Sequence, residues 1–307
     1  MIDLKQLVDD TYAEGFRSIY GEVLLTARDE KWLQHCINAV TGHSSSTILC
    51  DCESGVAQRL APTETPDGRV GAVVQFHVPR FRKDRREHLE KVMLARISQN
   101  ALTCPTIRCF NRLDTADFFK LGRKIALFGD RHQFRDIRYD QPGWVVPILG
   151  GEFFLSRRFG FQDGVMGGNL WFFGSTEDAA IEAAEKAAAA VDKTADTILP
   201  FPGGIAASGS KAGSSYKFMI ASTYAEYCPT LKSKLGDKSK VPDGVVSIQE
   251  IIINGRDLEA LNVATAAAIR AAADTPNLVR ISAGNYGGRL GKTFVHLHDV
   301  LGIRSNE

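Results

Sequence analysis

Glu250 is the side chain whose setting in the sequence could most directly support chemistry. It lies in segment 246–253 (VSIQEIII), whose β-branched residues are typical of a strand. Because side chains alternate across a sheet, Glu250 should share an apolar face with Ile248 and Ile252. Burial raises the pKa of a carboxyl by up to about 3–5 units, so Glu250 could keep its proton near neutral pH and act as a general acid. A structural carboxyl paired with an Arg or Lys from elsewhere fits the same pattern.

A glycine-rich segment, 200–213 (PFPGGIAASGSKAG), could hold a polar ligand close to the backbone. Glycines permit close approach, and Ser208, Ser210 and Lys211 would add two hydroxyls and a cation. The segment fails the P-loop pattern, because the lysine comes one residue too late and Ala212 replaces the magnesium-binding hydroxyl. A nucleotide-phosphate site and an ordinary Gly/Ser connection stay open as alternatives.

A second glycine-rich segment, 281–292 (ISAGNYGGRLGK), begins at the end of a predicted strand. Asn285 and the backbone around Gly287 could donate hydrogen bonds to a carbonyl oxygen. A wide hairpin that uses glycine for its left-handed residues fits equally well. The two glycine-rich segments are the candidate walls of a site around Glu250.

A basic run, 80–86 (RFRKDRR), precedes a predicted helix. Cations are mildly unfavourable at a helix N-terminus, so the run suggests an anionic ligand. A solvated charged face fits the same run. The six cysteines show one C-x-C and one C-x₄-C spacing, which match neither zinc knuckles nor a disulfide framework. We therefore predict no metal site and interpret the cysteines as small apolar side chains.

Strand and helix patterns alternate through the first half of the chain. The predicted elements are a strand at Glu22–Ala27, a helix ending at Gly42, strands at Ser46–Cys50 and Gly71–Val78, and a helix over 85–101. Extra hairpin strands are predicted at Lys124–Gly129, Trp144–Ile148 and Glu152–Ser156.

The second half repeats the same order of elements. The predicted elements are a strand at Asn169–Phe173, a helix capped by Ser175 with an apolar stripe at Ile181, Ala184, Ala188 and Val191, strands at Thr197–Phe201 and 246–253, a helix over 257–273, and a strand at Leu278–Ser282. The string TIL at 47–49 recurs at 197–199, and CPT at 104–106 recurs at 228–230. This repetition predicts an α+β fold of two ferredoxin-like α/β sandwich lobes related by internal duplication, at 1–146 and 147–307.

Composition argues against several classes of partner. The 307 residues include 37 Lys and Arg against 36 Asp and Glu, a formal net charge of +1. A nearly neutral chain has no general attraction for nucleic acid or an anionic membrane. No segment approaches the ~20 apolar residues of a membrane-spanning helix, and the acidic N-terminus does not resemble a signal peptide. We therefore predict a cytoplasmic protein without nucleic-acid or membrane partners.

Several uncommon strings, in one order along nearly the whole chain, resemble the formylmethanofuran:tetrahydromethanopterin formyltransferase family. They are TPDGR at 65–69, LTCPT at 102–106, GEF at 151–153, the segment 200–213, YCPT at 227–230, EIIING at 250–255, the segment 282–291 and HLHD at 296–299. The resemblance implies two ferredoxin-like lobes, homo-oligomers and an active site in a cleft at a subunit contact. It also implies an acid–base or polarising role for Glu250 and makes Cys228, Pro229 and Thr230 candidate substrate-binding residues.

The reaction implied by the resemblance is exchange of a formyl group between N5 of tetrahydromethanopterin and the amine of methanofuran or methylofuran. Both carriers would be substrates of a direct acyl transfer, without a tightly bound cofactor or a nucleophilic cysteine. A non-catalytic subunit that only presents the furan carrier to a hydrolase is the alternative.

The chain departs from the archaeal pattern of this family in two respects. Archaeal members read CPAEAG where this chain reads CDCESG at 50–55, and many are strongly acidic whereas this chain is neutral. Both differences resemble the branch found in methylotrophic bacteria. The expected partners are therefore the other subunits of a formyltransferase/hydrolase complex.

Overall fold

The computed structural model describes residues 2–303, which mix helices and strands throughout. The helices are α1 (Leu4–Leu7), α2 (Glu30–Thr41), α3 (Arg85–Arg96), α4 (Leu121–Ala126), α5 (Glu177–Val191), α6 (Lys232–Leu235), α7 (Leu258–Ala272) and α8 (Leu297–Leu301). None of the helices described within residues 2–303 combines the length and the apolar composition that a membrane-spanning helix requires.

The strands range from two to sixteen residues. They are β1 (Tyr12–Ala27), β2 (Glu53–Leu60), β3 (Val70–Pro79), β4 (Arg108–Asn111), β5 (Phe118–Phe119), β6 (Phe134–Arg138), β7 (Gln141–Ile148), β8 (Gly151–Ser156), β9 (Phe159–Gly174), β10 (Thr197–Ile198), β11 (Ile205–Ala206), β12 (Lys211–Ala212), β13 (Ala221–Ser222), β14 (Ser247–Gly255), β15 (Leu278–Ser282) and β16 (Thr293–His296).

The described residues form two compact units, which we call the N-unit (18–164) and the C-unit (2–17 with 165–303). These limits differ from the predicted lobes at 1–146 and 147–307. The difference arises because the first strand, β1, begins in the C-unit, while segment 147–164 completes strands of the N-unit. The lobe boundary near residue 147 stays a prediction about the duplicated sequence.

In the N-unit, the chain runs β1-α2-β2-β3-α3-β4. Strand β1 lies between β3 and β4, and β2 pairs with the outer edge of β3, with all three pairings antiparallel. Helix α2 begins where the Asp29 side chain accepts the backbone N–H of Trp32 at 3.0 Å. Its apolar stripe, spaced three and four residues apart, packs into the core at Leu33, Cys36, Ile37 and Val40.

The C-unit repeats this order of elements as β9-α5-β10-β14-α7-β15. Strand β9 lies between β14 and β15, and β10 pairs with the outer edge of β14, again in antiparallel pairings. Helices α5 and α7 pack through alanines, whose small side chains allow a close approach. The predicted α+β class and the two ferredoxin-like lobes are therefore confirmed by matching topology.

The recurring strings TIL and CPT do not occupy matching elements, however. In the C-unit, Thr197 and Ile198 form β10, whereas segment 47–49 of the N-unit is a turn. Likewise, segment 104–106 follows the second helix of its unit, whereas segment 228–230 lies before β14. The two units repeat one order of elements, but the strings TIL and CPT do not occupy equivalent positions in that order.

Two predicted strands are wrong. Segment Ser46–Cys50 is a turn, because its backbone groups bond locally: Cys50 N–H donates to the carbonyl of Ser46, and Thr47 N–H donates to the carboxylate of Glu53. Segment Lys124–Gly129 is helical rather than extended, because burial of Leu121 and Ile125 follows the four-residue spacing of a helix.

The predicted strand Thr197–Phe201 is shorter than expected. Pro200 and Pro202 have no backbone N–H to donate to a neighbouring strand, so the edge strand is interrupted and resumes only at β11.

The predicted helix cap at Ser175 is also wrong by one residue. Its hydroxyl donates to the carbonyl of Asn277, and the side chain of Thr176 accepts the Ala179 N–H instead. The predicted strands Glu22–Ala27 and Asn169–Phe173 are the last parts of β1 and β9, each of which begins ten residues earlier than predicted. The remaining predicted strands and helices are confirmed with small shifts at their ends.

A buried ionic cluster that includes Asp67 and Arg69 of the TPDGR string stabilises the N-unit. The Asp67 side chain is fully buried, and its Oδ2 accepts the hydroxyl of Thr26 at 2.8 Å, Nε of Arg69 at 2.7 Å and a guanidinium nitrogen of Arg108 at 2.9 Å. Removing one member of such a cluster leaves buried charge without compensation.

We predict that Asp67→Asn lowers the free energy of unfolding by about 2–4 kcal/mol, measured by urea denaturation. The matched control is Asp84→Asn, which alters an exposed ion pair with Arg82 and should change stability little. Equal losses in the two variants would contradict the role given to the buried cluster.

Candidate active site

Glu250 lies in the middle of β14, between two neighbouring strands. It is paired across the sheet with Trp171 of β9 on one side and with Ala206 of β11 on the other. Ile251 and Ile253 point into the helix-covered core of the C-unit. Glu250 therefore lies on the opposite face of the sheet, as its place in the alternating pattern predicted. Only 5% of the residue is exposed.

Two neutral side chains hold the Glu250 carboxyl. Nδ2 of Asn169 donates to Oε1 at 2.7 Å, and Nε1 of Trp171 donates to the same oxygen at 2.8 Å. Burial raises the pKa of Glu250, and the two hydrogen bonds offset only part of that effect. Because both donors occupy Oε1, Oε2 is the oxygen available to carry a proton. Among residues 2–303, the structure thus pairs Glu250 with an amide and an indole rather than with the Arg or Lys considered above.

An aromatic cluster covers this face of the sheet. The Trp171 ring lies 5.6 Å from Tyr224 and 4.7 Å from Tyr227, and Tyr224 stacks on Tyr286 at 5.9 Å between ring centroids. The buried side chains of Val241 and Val245 complete the cluster. These hydrocarbon surfaces are what keep water from Glu250. Their contribution could not be predicted, because the tyrosines lie in irregular segments without periodicity.

The glycine-rich turn after β15 is built around a buried carboxylate, Glu14 of β1, which is only 1% exposed. Its Oε1 accepts the backbone N–H groups of Tyr286 at 2.6 Å and Gly288 at 2.7 Å. Its Oε2 accepts those of Leu290 at 3.0 Å and Gly291 at 3.4 Å. Nothing in the sequence around Glu14 indicates this role, because its partners lie more than 270 residues away.

Within that turn, Gly287 has a φ of 69°, in the left-handed region that glycine adopts without strain. Its N–H donates to Oδ1 of Asn285 at 2.9 Å, and Nδ2 of Asn285 donates to the hydroxyl of Thr11 at 3.2 Å. Asn285 therefore shapes the turn. Its predicted contact with substrate stays a prediction.

The glycine-rich loop 200–213 passes beside Glu250, because β11 is part of it. The hydroxyl of Tyr286 donates to the backbone carbonyl of Ser210 at 2.8 Å, so this loop and the Glu14 turn are joined. Burial, followed by the proximity of Glu250, raises the pKa of Tyr286. Ser208 is exposed and Lys211 is partly exposed, which places both at the rim of the site.

The segment Cys228-Pro229-Thr230 directly follows Tyr227 of the aromatic cluster. The Cys228 thiol donates to the carbonyl of Tyr224 at 3.6 Å and lies 3.3 Å from the hydroxyl of Thr223. Pro229 begins a 3₁₀ turn, Pro229–Leu231, and Thr230 is exposed. The C-unit therefore gathers Glu250 and the two glycine-rich segments at one aromatic cluster, with 228–230 beside it.

The basic run 80–86 lies in the N-unit, and acids of that unit pair with three of its cations. Arg80 pairs with Asp163, Arg82 with Asp84 and Arg86 with Asp117. These pairs favour the solvated-face interpretation, and binding of an anionic ligand there stays a prediction.

Within residues 2–303, no three His, Cys, Asp or Glu side chains lie close enough together to hold a metal ion.

The chain belongs to the formylmethanofuran–tetrahydromethanopterin formyltransferase family. The family model described as formylmethanofuran-tetrahydromethanopterin formyltransferase matches residues 3–148, and the one described as its proximal lobe matches residues 151–300. The family resemblance and the two-lobe α+β architecture inferred from sequence are thereby confirmed. The formylmethanofuran–tetrahydromethanopterin formyltransferase of Methanocaldococcus jannaschii is 40% identical over 299 residues, which cover 96% of this chain and 97% of that protein.

Two solved structures are similar over nearly the whole chain. The formylmethanofuran:tetrahydromethanopterin formyltransferase from Methanosarcina barkeri matches with a TM-score of 0.93 and 38% identity, covering 98% of this chain and 100% of the other. The formyltransferase/hydrolase complex from Methylorubrum extorquens, solved with methylofuran, contains a chain that matches with a TM-score of 0.89 and 36% identity, covering 96% of each chain.

We predict that Glu14→Gln loosens the turn, because an amide in place of the carboxylate turns one acceptor oxygen into a donor. The backbone amides of Leu290 and Gly291, or those of Tyr286 and Gly288, should exchange with solvent on the order of tenfold to a hundredfold faster. Hydrogen exchange followed by NMR measures this. The internal control is the Ala260 amide, which Asp257 caps at the start of α7 and which should be unaffected. Unchanged exchange throughout the turn would contradict the role of Glu14.

Proposed function

We propose that this chain is a formyltransferase that exchanges a formyl group between N5 of tetrahydromethanopterin and the amine of methanofuran or methylofuran. The observation that carries the proposal is the buried carboxyl of Glu250, held by two neutral donors under an aromatic cluster. Membership of the family, with matches to nearly full-length relatives that carry this name, supports the choice of carriers.

The proposed reaction is direct acyl transfer with both carriers bound at once. Holding the two amines on either side of one formyl carbon supplies the orientation that the reaction needs. The attacking amine adds to the carbonyl carbon and gives a tetrahedral intermediate with a negatively charged oxygen. The C–N bond between the formyl carbon and the donor carrier then breaks, and the departing nitrogen takes up a proton from the Glu250 carboxyl. The attacking nitrogen loses a proton, which returns to the Glu250 carboxylate.

Glu250 is the proposed donor of that proton. Its Oε2 either protonates the departing nitrogen or hydrogen-bonds the developing oxyanion. An amine attacks a formyl carbonyl without help from a thiol, so the proposal gives Cys228 no nucleophilic role. Because the acid must be protonated to act, turnover should fall as the pH rises through the raised pKa of Glu250.

The proposed carrier contacts are the sequence candidates around this carboxyl. They are Ser208, Ser210, Lys211, Cys228, Pro229, Thr230, Asn285 and Gly287. The backbone and exposed side chains of these residues suit a polar, heteroaromatic substrate, while the tyrosines beside them offer flat surfaces for stacking. In this proposal the carriers are substrates, and no tightly bound cofactor or metal takes part.

We further propose that the chain acts in the cytoplasm as a homo-oligomer with other subunits of a formyltransferase/hydrolase complex. The match to a chain of the Methylorubrum extorquens complex supports that assembly. The departures from the archaeal pattern at 50–55 point in the same direction.

We predict that Glu250→Gln folds normally and lowers kcat by about 10²–10⁴-fold, the usual size of a general acid–base contribution. A glutamine oxygen can still accept both hydrogen bonds, so KM for each carrier should change little. Carrier-exchange kinetics with both purified carriers measures this.

The matched control is Glu22→Gln in the N-unit, where another buried carboxylate accepts an amide, that of Gln75, at 2.7 Å. This control should keep kcat near the wild-type value. Near wild-type turnover of Glu250→Gln would remove Glu250 from the mechanism. No carrier exchange by the wild-type chain would instead favour the non-catalytic, carrier-presenting subunit.

A further inference from the structure

Asn169 of β9 connects Glu250 to the glycine-rich turn. Its Nδ2 donates to Oε1 of Glu250 at 2.7 Å, and its Oδ1 accepts the backbone N–H of Gly284 at 2.9 Å. Both hydrogen bonds are buried, and only 5% of Asn169 is exposed. One amide group thus spans the distance between the carboxyl and the start of the turn that carries Tyr286.

The backbone fixes which way round this amide lies. The Gly284 N–H can only donate, so it requires the oxygen of Asn169 and leaves the NH₂ group for Glu250. Residue 284 must also be small, because a Cβ atom there would lie 2.3 Å from Nδ2 of Asn169. The amide cannot turn over without losing both bonds, and a flipped amide would place its oxygen against a carboxyl oxygen.

This arrangement distinguishes the two oxygens of Glu250. Asn169 and Trp171 both donate to Oε1, and within the described residues no hydrogen bond reaches Oε2. A proton on Oε1 would face two N–H donors, whereas a proton on Oε2 would face none. The carboxyl is therefore held in one orientation with its proton on one defined atom.

We propose that Asn169 is a positioning residue of this active site. By donating to Oε1, Asn169 leaves the transferable proton on Oε2 of Glu250, and its bond to the backbone of Gly284 holds the carboxyl in place. The inference rests on the proposed function, because it assigns Asn169 a task only if Glu250 is the acid. Pre-organised geometry of this kind matters because displacing a reacting group by about 1 Å can cost on the order of a hundredfold in rate.

The ionisable groups around the carboxyl do not duplicate this task. They are the phenols of Tyr224, Tyr227 and Tyr286, with Glu14 behind Tyr286 and Lys240 against the Tyr227 ring. Burial raises the pKa of Tyr227 and of Tyr286, so these two phenols stay neutral where Glu250 titrates. Of the groups named here, Glu250 is the one that Asn169 contacts directly, so the pH profile of an Asn169 variant reports on that contact.

The test compares Asn169→Ala with the isosteric Asn169→Asp. In Asn169→Ala, kcat should fall about tenfold to a hundredfold with little change in KM, because the acid is present but no longer fixed. The alkaline limb of the kcat–pH profile should move to higher pH, because a donor to the ionised carboxyl is lost. Asn169→Asp should move that limb in the same direction, because a second carboxyl disfavours ionisation of the first. This isosteric variant carries the test if Asn169→Ala fails to fold.

The matched control is Asn254→Ala, on the same strand as Glu250. Asn254 is fully buried, and its Oδ1 accepts the backbone N–H of Gly167 at 2.9 Å, just as Asn169 accepts that of Gly284. Asn254→Ala should lose stability in the same way but leave the position of the alkaline limb unchanged. The control therefore separates loss of a buried amide from loss of proton assignment.

A double variant separates this inference from the proposed function. If Asn169 acts through Glu250, Asn169→Ala should cause no further loss of kcat in a Glu250→Gln background. An equal further loss there, or an unchanged kcat and pH profile for the single variants while Glu250→Gln is impaired, would overturn the inference alone. Wild-type turnover of Glu250→Gln would overturn both the acid and its positioning residue.

Discussion

The proposed active site depends on the burial of one carboxyl, that of Glu250, in the C-unit. Ionising Glu250 away from water is costly, and neutral hydrogen-bond donors offset only part of that cost. The aromatic cluster covers this face of the sheet, and the edge strand interrupted at Pro200 and Pro202 resumes beside Glu250 as β11. Because burial raises the pKa of Glu250 in the folded state, the free energy of unfolding falls as the pH rises from the unfolded-state pKa of this carboxyl through its folded-state pKa. The fold thus tolerates a local loss of stability at the proposed acid.

The internal duplication shows how such a site can arise on a common frame. In each unit, a carboxyl group and an amide from the two central strands meet at 2.7 Å on the sheet face that points away from the helices. The roles are exchanged, since β1 supplies Glu22 in the N-unit whereas β14 supplies Glu250 in the C-unit. The N-unit version continues into a buried His77 whose pKa is lowered to about 3 by burial. One frame therefore carries two polar centres, of which the C-unit version faces the glycine-rich segments.

Periodicity was sufficient to predict what lies along one strand but not what meets across strands. The burial and face of Glu250 follow from alternation within eight residues, and element order followed from the helix and strand patterns. The hydrogen-bond partners of Glu250, Asn169 and Trp171, lie about eighty residues away in the sequence. The partners of Glu14 lie farther still, so no local sequence pattern could predict either set of contacts. The strand predicted at Ser46–Cys50 was wrong for a related reason. Its backbone groups form hydrogen bonds within the turn and to Glu53 instead of pairing with a neighbouring strand.

We propose that Glu250, whose pKa is raised by burial, carries a proton at neutral pH in the folded protein. Difference infrared spectroscopy between the wild-type chain and Glu250→Gln, with ¹³C-labelled glutamate to assign the bands, tests it most directly. The account predicts a protonated carboxyl band at pH 7 in the wild-type protein that is missing from the variant and fades as the pH is raised. A spectrum in which Glu250 contributes only carboxylate bands at pH 7 would contradict the account.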